Sequence, residues 1–144
     1  MANKVTNPML KSEGKLYING EQVLDARKVL IKVSINNTES KRLGDRTTSS
    51  RTVGYDISVE ISQYKSNKFA IDIIKKYLDT GLTPKFKVQA MNNDKGSDFF
   101  RKYGNDTITV TGCVPTGDLN LLDLDASTTD YVEETITFKG SAIV

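Results

Sequence analysis

The sequence predicts a mainly β fold, a β-sandwich or barrel with one α-helix. Three observations predict it. Several segments alternate apolar and polar residues with the period of a half-buried strand, an Asn-Gly pair marks a tight hairpin, and a single segment has helical periodicity. The 144 residues include 38% hydrophobic and 26% charged residues and have no Pro/Gly/Ser-rich break in the middle. Length and composition therefore predict one domain, residues 1–144, that is long enough to bury a core.

The predicted strands run along most of the chain. Asn19 and Gly20 lie between the apolar flanks of KLYINGEQVL, which predicts a first hairpin. Two long segments, KVLIKVSI and YDISVEIS, alternate strictly, so one face of each strand is expected to lie on the core. The shorter segments KFKVQAM, TITVTG and TITFKG alternate in the same way. The residues of the two long strands expected to face the core are Val29, Ile31, Val33, Ile35, Tyr55, Ile57, Val59 and Ile61.

The helical segment is SNKFAIDIIKKYLDTG, residues 66–81. Ser66 is expected to cap its start and Gly81 its end, and Pro84 prevents continuation. We interpret this amphipathic helix as a lid over one end of the sandwich or barrel. Its predicted buried face consists of Ala70, Ile73, Ile74 and Tyr77.

The composition excludes several classes of protein. Without any His, the chain cannot build a Ser-His-Asp or Cys-His nucleophile, and it lacks the commonest zinc ligand. It also lacks the glycine-rich motifs that bind nucleotide phosphates. We therefore predict that the protein is not an enzyme and uses no cofactor.

Further features predict a protein that is made and folded in a cytosol. No apolar run approaches the roughly 20 residues of a membrane helix, and the N-terminal MANKVTNPMLKSEG lacks the apolar core of a signal peptide. The lone Cys113 excludes an intrachain disulfide and is interpreted as a small core or edge residue. The segment from Asp123 to Glu134 partly matches a calcium loop, but Thr128 stands where that loop needs Gly. We interpret it as an acidic loop that binds no metal.

The longest polar segment is NNTESKRLGDRTTSSRTVG, residues 36–54, which lies between the two long strands. Loops beyond about 12 to 15 residues without structure of their own are uncommon in compact domains, and are usually functional or disordered. One interpretation is a mobile surface loop. The other is an assembly arm, in which LGDR turns the chain and the flanking residues extend both strands into a projecting hairpin that pairs with another chain.

The order and style of these segments resemble the tail tube proteins of contractile bacteriophage tails. The resemblance runs roughly from Lys15 to Lys139, and its most specific parts are GDLNLLDLD and YVEETITFKG. The likeness is greatest to tube proteins of Gram-positive hosts, including defective phage-like particles and R-type bacteriocins. It implies hexameric rings stacked into a hollow tube inside a contractile sheath. The implied partners are the chain itself and the sheath, baseplate and tail-terminator proteins.

For such a tube, residues 1–14 are expected to form an N-terminal arm and one face of YDISVEIS to line the lumen, where DNA is a possible cargo. The segment DKGSDFFRKYG is either extended, with one Phe in contact with a neighbour, or a short helical turn that buries both. The leucines of GDLNLLDLD are equally compatible with packing on the subunit's own core. Expected interface residues are Lys41, Arg42, Arg46, Arg51, Leu119, Leu121, Leu124 and Phe99. Expected lumen-facing residues are Asp56, Ser58, Glu60, Ser62 and Glu133.

Two alternatives share this pattern of strands and a helix. The first is an oligonucleotide-binding fold, with which the 20 basic against 18 acidic residues are weakly compatible. Single-strand binders stack bases on exposed aromatics along a basic groove, whereas the outward faces predicted here are rich in Ser, Thr, Asp and Glu. The second is a secretion-system tube subunit, which the sequence does not separate from a phage tube.

Overall fold

Strands predominate in the structure, a computed structural model that describes residues 6–44 and 46–144. The mainly β expectation is confirmed, with one addition, a short second helix. The strands are β1 (Gly14–Ile18), β2 (Glu21–Gln22), β3 (Ala26–Ser40), β4 (Ser49–Tyr64), β5 (Phe86–Asn92), β6 (Asp106–Thr116), β7 (Glu133–Gly140) and β8 (Ala142–Ile143). The helices are α1 (Phe69–Thr80) and α2 (Asp98–Tyr103).

The strands form one antiparallel sheet that folds over on itself. Its order is β2-β1-β5-β6-β7-β4-β3, and β8 pairs with β6 off this path. Residues Asp106 to Cys113 of β6 pair with β5 and β8, whereas its last three residues, Val114 to Thr116, pair with β7. Just before this change of partner, at the register shift between Val110 and Cys113, lies Gly112, whose φ of 65° is in the left-handed region that favours glycine. The bend divides the sheet into two layers that share β6.

The core fills the space between the two layers. Phe138 of β7 is completely buried, and its ring meets that of Phe86 edge-on at 5.6 Å. Ala70 and Ile73 of α1 close one end of the core, as the helical spacing predicted. At Gly140 a Cβ atom would lie 2.4 Å from a methyl carbon of Val110, so this strand end approaches β6 too closely for any side chain.

The boundaries of α1 agree with the sequence at its end but not at its start. Gly81 takes a left-handed conformation with φ 69° and donates its N–H to the Tyr77 carbonyl at 2.8 Å, as expected for a C-cap. Ser66 is not the N-cap, because its hydroxyl donates to Asp25 in the loop after β2. Instead, Asn67 accepts the Phe69 N–H at 3.0 Å. Tyr77 is exposed rather than buried.

The second helix, α2, resolves the two interpretations of DKGSDFFRKYG. Ser97 caps the helix by accepting the Phe100 N–H at 3.2 Å, so the extended interpretation is wrong. Phe99 and Phe100 are both half-buried, and the Phe99 ring lies 4.9 Å from that of Tyr103. Within the described ranges, neither helix is long and apolar enough to cross a membrane.

The described part of the predicted N-terminal arm lies against α2 and the loop before it. Asn7 donates its N–H to the Asp98 carboxylate at 2.9 Å and accepts the Asp98 N–H at 2.9 Å. Leu10 donates its N–H to Asp94 at 3.2 Å. Residues 1–5 of that arm lie outside the described residues. The remainder is fastened to the body of its own subunit by backbone hydrogen bonds.

The burial of Cys113 predicts an unreactive thiol. Its exposed fraction is 0%, its sulfur lies 3.6 Å from the Val110 carbonyl, and burial raises the pKa of the thiol. Since the thiolate is the nucleophile, we expect the folded protein to react negligibly with Ellman's reagent at pH 8, and the denatured protein to release one equivalent of chromophore. Equal reaction rates in the two states would contradict this burial.

Candidate interaction surfaces

The insert of residues 36–54, hereafter the arm, projects from the body as a two-stranded ribbon. The ladder between β3 and β4 continues to the pair formed by Ser40 and Ser49. In contrast, β4 pairs with β7 only from Ile57 to Tyr64. The half of β4 that precedes Ile57 therefore has β3 as its only neighbour among the described strands. Both strands extend as far as the hairpin interpretation requires, and Asp45 of its LGDR turn lies outside the described residues.

An apolar stripe lies at the base of the arm. Ile35 and Tyr55 face each other across the ladder and are 63% and 56% exposed, and Val33 beside them is 44% exposed. Val53, at a bulge in the ladder, is 62% exposed. The expectation that Val33, Ile35 and Tyr55 face the core is wrong. Alternation correctly places these side chains on the same side of the hairpin as the core residues. However, β7 pairs with β4 only from Ile57 onward, so the body does not extend far enough along the hairpin to cover them.

The basic residues of the arm are exposed. Lys41, Arg42, Arg46 and Arg51 form no salt bridge with any described residue of their own chain. The arm is bound together locally by neutral contacts, such as the Thr52 hydroxyl, which donates to Asn37 across the ladder at 3.0 Å. Its positive charge is therefore available to another molecule.

The sheet ends at an unpaired edge. β3 is the last strand in the sheet order, and its outer edge pairs with no other described strand. This strand is 15 residues long and has register shifts near both ends, at Ala26/Lys28 and at Asn36/Asn37. A long edge presents backbone N–H and C=O groups that can pair with a second chain.

The acidic loop, residues 117–132, connects β6 to β7 at the other end of the sheet. Leu119 and Leu121 pack against the core, whereas Leu122 and Leu124 are 63% and 75% exposed. Tyr131 is 80% exposed. Two apolar residues of the loop therefore anchor it to the core, and three others lie exposed on its surface. Its four aspartates are all exposed and are Asp118, Asp123, Asp125 and Asp130.

Hydrogen bonds stabilise the charge of one loop aspartate. The Ser127 N–H and hydroxyl donate to the Asp125 carboxylate at 2.9 and 2.7 Å. These two bonds hold the pKa of Asp125 below its ordinary value. Asp125 therefore remains ionised at mildly acidic pH.

A buried ion pair anchors the acidic loop to the sheet. Glu134 is 1% exposed, and its carboxylate lies 3.4 Å from the Lys65 ammonium and accepts a hydrogen bond from Gln63 at 3.2 Å. The same ammonium donates to the Leu121 carbonyl, and the Lys65 backbone N–H donates to Val132 at 2.8 Å. Sequence reasoning missed this site. The available signal was that Glu134 occupies the apolar face of the alternation that continues with Ile136 and Phe138.

This burial also excludes Glu134 from a calcium loop, because its carboxylate points into the sheet rather than towards Asp123 and Asp125. Across residues 6–44 and 46–144, no group of three or more Cys, Asp or Glu is arranged to hold a metal ion.

The outer face of β3, β4 and β7 is polar and partly exposed, and ion pairs join some of its acidic and basic residues. Asp56 lies 3.9 Å from Lys139, and Glu133 lies 3.0 Å from Arg27. Ser62 differs from the other expected lumen residues, since it is 6% exposed and its hydroxyl lies 3.2 Å from that of Thr135. This face carries three acidic residues, Asp56, Glu60 and Glu133, and four basic residues, Arg27, Lys28, Lys32 and Lys139.

The chain matches a family model described as "Phage tail tube protein" over residues 3–142. Two relatives from Bacillus subtilis (strain 168) align over 97 residues, which are 67% of this chain and 66% of each relative. They are the phage-like element PBSX protein XkdM, 28% identical, and the uncharacterized protein YqbM, 29% identical. The alignment thus spans slightly less than two thirds of each relative's length.

The fold is similar to chains in solved contractile particles. A chain in the cryo-EM structure of the PVC sheath/tube terminator, from an extracellular contractile injection system, has a TM-score of 0.76 at 16% identity over 98% of both chains. A chain in the anti-feeding prophage tube terminating cap has a TM-score of 0.76 at 12% identity, covering 100% of this chain and 94% of that one. At such low identity, the likeness shows the fold alone.

The buried ion pair generates a stability prediction. Lys65→Met leaves the buried Glu134 carboxylate without its cation, so we expect the free energy of unfolding to fall by about 3 kcal/mol. Urea denaturation followed by circular dichroism measures this change. Lys139→Met is the matched control, because its ion pair with Asp56 is exposed and its removal should cost less than about 0.5 kcal/mol. Equal effects of the two substitutions would contradict a special role for Lys65.

Proposed function

This chain belongs to the phage tail tube protein family, and we propose that it is the repeating subunit of a hollow tube built from stacked hexameric rings inside a contractile sheath. The family is one of structural proteins, so the chain is a component of a phage tail or tail-like particle and not an enzyme. The proposed partners are further copies of the chain and the sheath, baseplate and tail-terminator proteins. The proposed location is the assembled particle, after synthesis in the bacterial cytoplasm.

The observation that carries this proposal is the unsupported arm. A two-stranded hairpin is at best marginally stable in water, and it normally needs a third strand or a packed apolar face. Among the described residues, the ribbon has no third strand, and it exposes the apolar stripe at its base. A neighbouring copy that pairs with the ribbon and covers the apolar stripe would supply both the missing strand and the missing apolar contact. The arm is therefore proposed as a subunit interface that includes Lys41, Arg42, Arg46 and Arg51.

The unpaired edge of β3 supports ring formation in a second way. A ring requires two different surfaces on each subunit that bind head to tail and close after a fixed number of copies. The sheet order ends in β3 on one side and in the two-residue β2 on the other, so its two ends differ. We propose that the β3 edge contacts the adjacent subunit of the ring. Leu124 and the half-buried Phe99 remain candidates for contacts at the ends of the body, whereas Leu119 and Leu121, which pack on the core, would add only their remaining exposed surface to such contacts.

The outer face of β3, β4 and β7 is proposed to line the channel. Asp56 and Ser58 on this face are exposed, Glu60 and Glu133 are half-buried, and all four alternate along two neighbouring strands. Because three acidic and four basic side chains share the face, six copies would give a lumen with a small positive charge rather than acidic belts. Arg27 and Lys139 are ion-paired with Glu133 and Asp56, and paired cations retain phosphate less strongly than uncompensated Lys and Arg. DNA is thus compatible with this lumen as a cargo.

Removal of the arm tests the interface proposal. Replacing residues 38–51 with Asn-Gly joins the paired residues Asn37 and Thr52 by a two-residue turn. We expect the variant to fold, because the removed residues are exposed, but to form no rings or tubes in negative-stain electron microscopy at concentrations where the unaltered protein does.

A milder variant keeps the ribbon and removes only the apolar stripe, so it tests whether covering of the stripe is needed for assembly. Ile35→Ser/Tyr55→Ser should also prevent assembly, whereas Leu24→Ser, at a residue that is 83% exposed outside the arm, should not. Tubes formed normally by both arm variants would rule out the arm as an interface.

Chemical labelling tests the channel assignment. A Ser58→Cys variant carries one accessible thiol on this face, because Ser58 is exposed and Cys113 is buried. A maleimide too large for the lumen should label free subunits but not end-capped tubes, whereas a small maleimide should label both. Labelling of assembled tubes by the large reagent, to the same extent as free subunits, would place this face outside the channel.

A further inference from the structure

The basic arm and the acidic loop lie at opposite ends of the same strand. The second strand of the arm is the start of β4, from Ser49 to Gly54, whereas the acidic loop is held against Lys65, the residue after β4 ends at Tyr64. A strand of 16 residues at about 3.3 Å per residue spans about 50 Å. The two surfaces therefore cannot meet within one subunit.

The charges of the two surfaces are complementary. The arm contains four basic residues and two acidic ones, Glu39 and Asp45, whereas residues 117–132 contain four aspartates and no basic residue. Each surface also exposes large apolar side chains, the stripe at the arm and Leu122, Leu124 and Tyr131 at the loop. Basic and apolar groups on one end thus match acidic and apolar groups on the other.

Several other carboxylates of the subunit are already engaged. Asp56 pairs with Lys139 and Glu133 with Arg27, while Asp94 and Asp98 accept hydrogen bonds from the N-terminal segment. The acidic loop brings four carboxylates together on one segment, and none of them has a basic partner among the described residues. It is the natural docking surface for a basic, partly apolar hairpin.

We propose that the arm of one subunit docks on the acidic loop of a subunit in the next ring. This inference rests on the proposed tube function and deepens it by naming the partner surface. A contact between different surfaces at opposite ends of a molecule is heterologous, and repeated translation along one direction gives an open filament rather than a closed ring. The pairing therefore supplies the stacking direction of the tube, and gives the tube a polarity.

Contacts with the core and with Lys65 hold the acidic loop in place before docking. Leu119 and Leu121 are held on the core, and Lys65 fixes the Leu121 carbonyl. Because the chain is fastened at these points, Leu122 and Leu124 are presented outward with little entropy left to lose on binding. Lys65 is thus a positioning residue for the docking surface.

Charge reversal provides the test. One variant carries Arg42→Glu/Arg46→Glu/Arg51→Glu in the arm, and the other carries Asp123→Lys/Asp125→Lys/Asp130→Lys in the loop. Each alone places like charges at every stacking contact, so we expect the concentration needed for tubes to rise by at least about tenfold. An equimolar mixture can alternate along the tube with every contact complementary, and should assemble like the unaltered protein.

A control variant and the behaviour of the unaltered protein separate failure of the docking proposal from failure of the tube function. Asp72→Lys/Asp79→Lys reverses exposed charges on α1 and should leave assembly unchanged. Thermal melts of every variant confirm that the subunit is folded. If the unaltered protein assembles and both reversed variants assemble equally well, or if their mixture stays dispersed, the docking proposal is wrong while the tube function stands. An unaltered protein that never assembles would overturn both.

A second measurement does not depend on charge reversal. Arg46→Cys/Leu124→Cys places one thiol on each surface, and mild oxidation of assembled tubes should produce a ladder of covalent multimers on a non-reducing gel. Arg46→Cys/Leu24→Cys is the matched control and should give no ladder. Equal ladders from the two proteins would overturn the proposed pairing.

Discussion

The structure depends on a mismatch between the length of one hairpin and the size of the body that supports it. β3 and β4 are 15 and 16 residues long, but only the part of β4 from Ile57 onward has β7 as its second neighbour. Within that part, Ile57, Val59 and Ile61 are almost completely buried. Beyond it, the same apolar alternation continues into solvent. The chain therefore has a well-packed core, but its sheet extends beyond that core as a hairpin with exposed apolar residues.

This mismatch explains which sequence predictions succeeded. Period-two alternation, the Asn19-Gly20 turn with positive φ at both residues, and the Gly81 cap are local signals, and each was correct. The exposure of Ile35 and Tyr55 is not local, because it depends on where β7 stops beside β4. No sequence pattern within the hairpin indicates where β7 ends beside it. The helix α2 was left open for a different reason, since six residues are too few to establish a helical period.

The buried Glu134 shows a polar constraint that the sequence contained but did not explain. Its position in the alternation placed a carboxylate on the core face, and burial of a charge is costly unless it is paired and hydrogen-bonded. The partners, Gln63 and Lys65, come from the end of β4 and could be found only once the register was known. Replacing a whole buried ion pair by apolar residues of similar volume is often neutral or stabilising, so stability alone does not explain this pair. The ion pair instead fixes the path of the acidic loop, because the same Lys65 ammonium also binds the Leu121 carbonyl.

A subunit with an unpaired edge and an exposed apolar stripe must avoid indiscriminate aggregation before it meets the correct partner. Long flat edges invite pairing with any strand, and proteins commonly limit it with bulges and lysines. β3 has register shifts near both of its ends, and Lys28 and Lys32 lie on its outer face. The tip of the arm adds Lys41, Arg42 and Arg46, so two arms repel each other. Docking is then favourable chiefly on a surface that is both acidic and apolar, and the subunit presents such a surface at its opposite end. In the proposed tube, the charges that keep free subunits apart are thus the same charges that direct them into a polar stack.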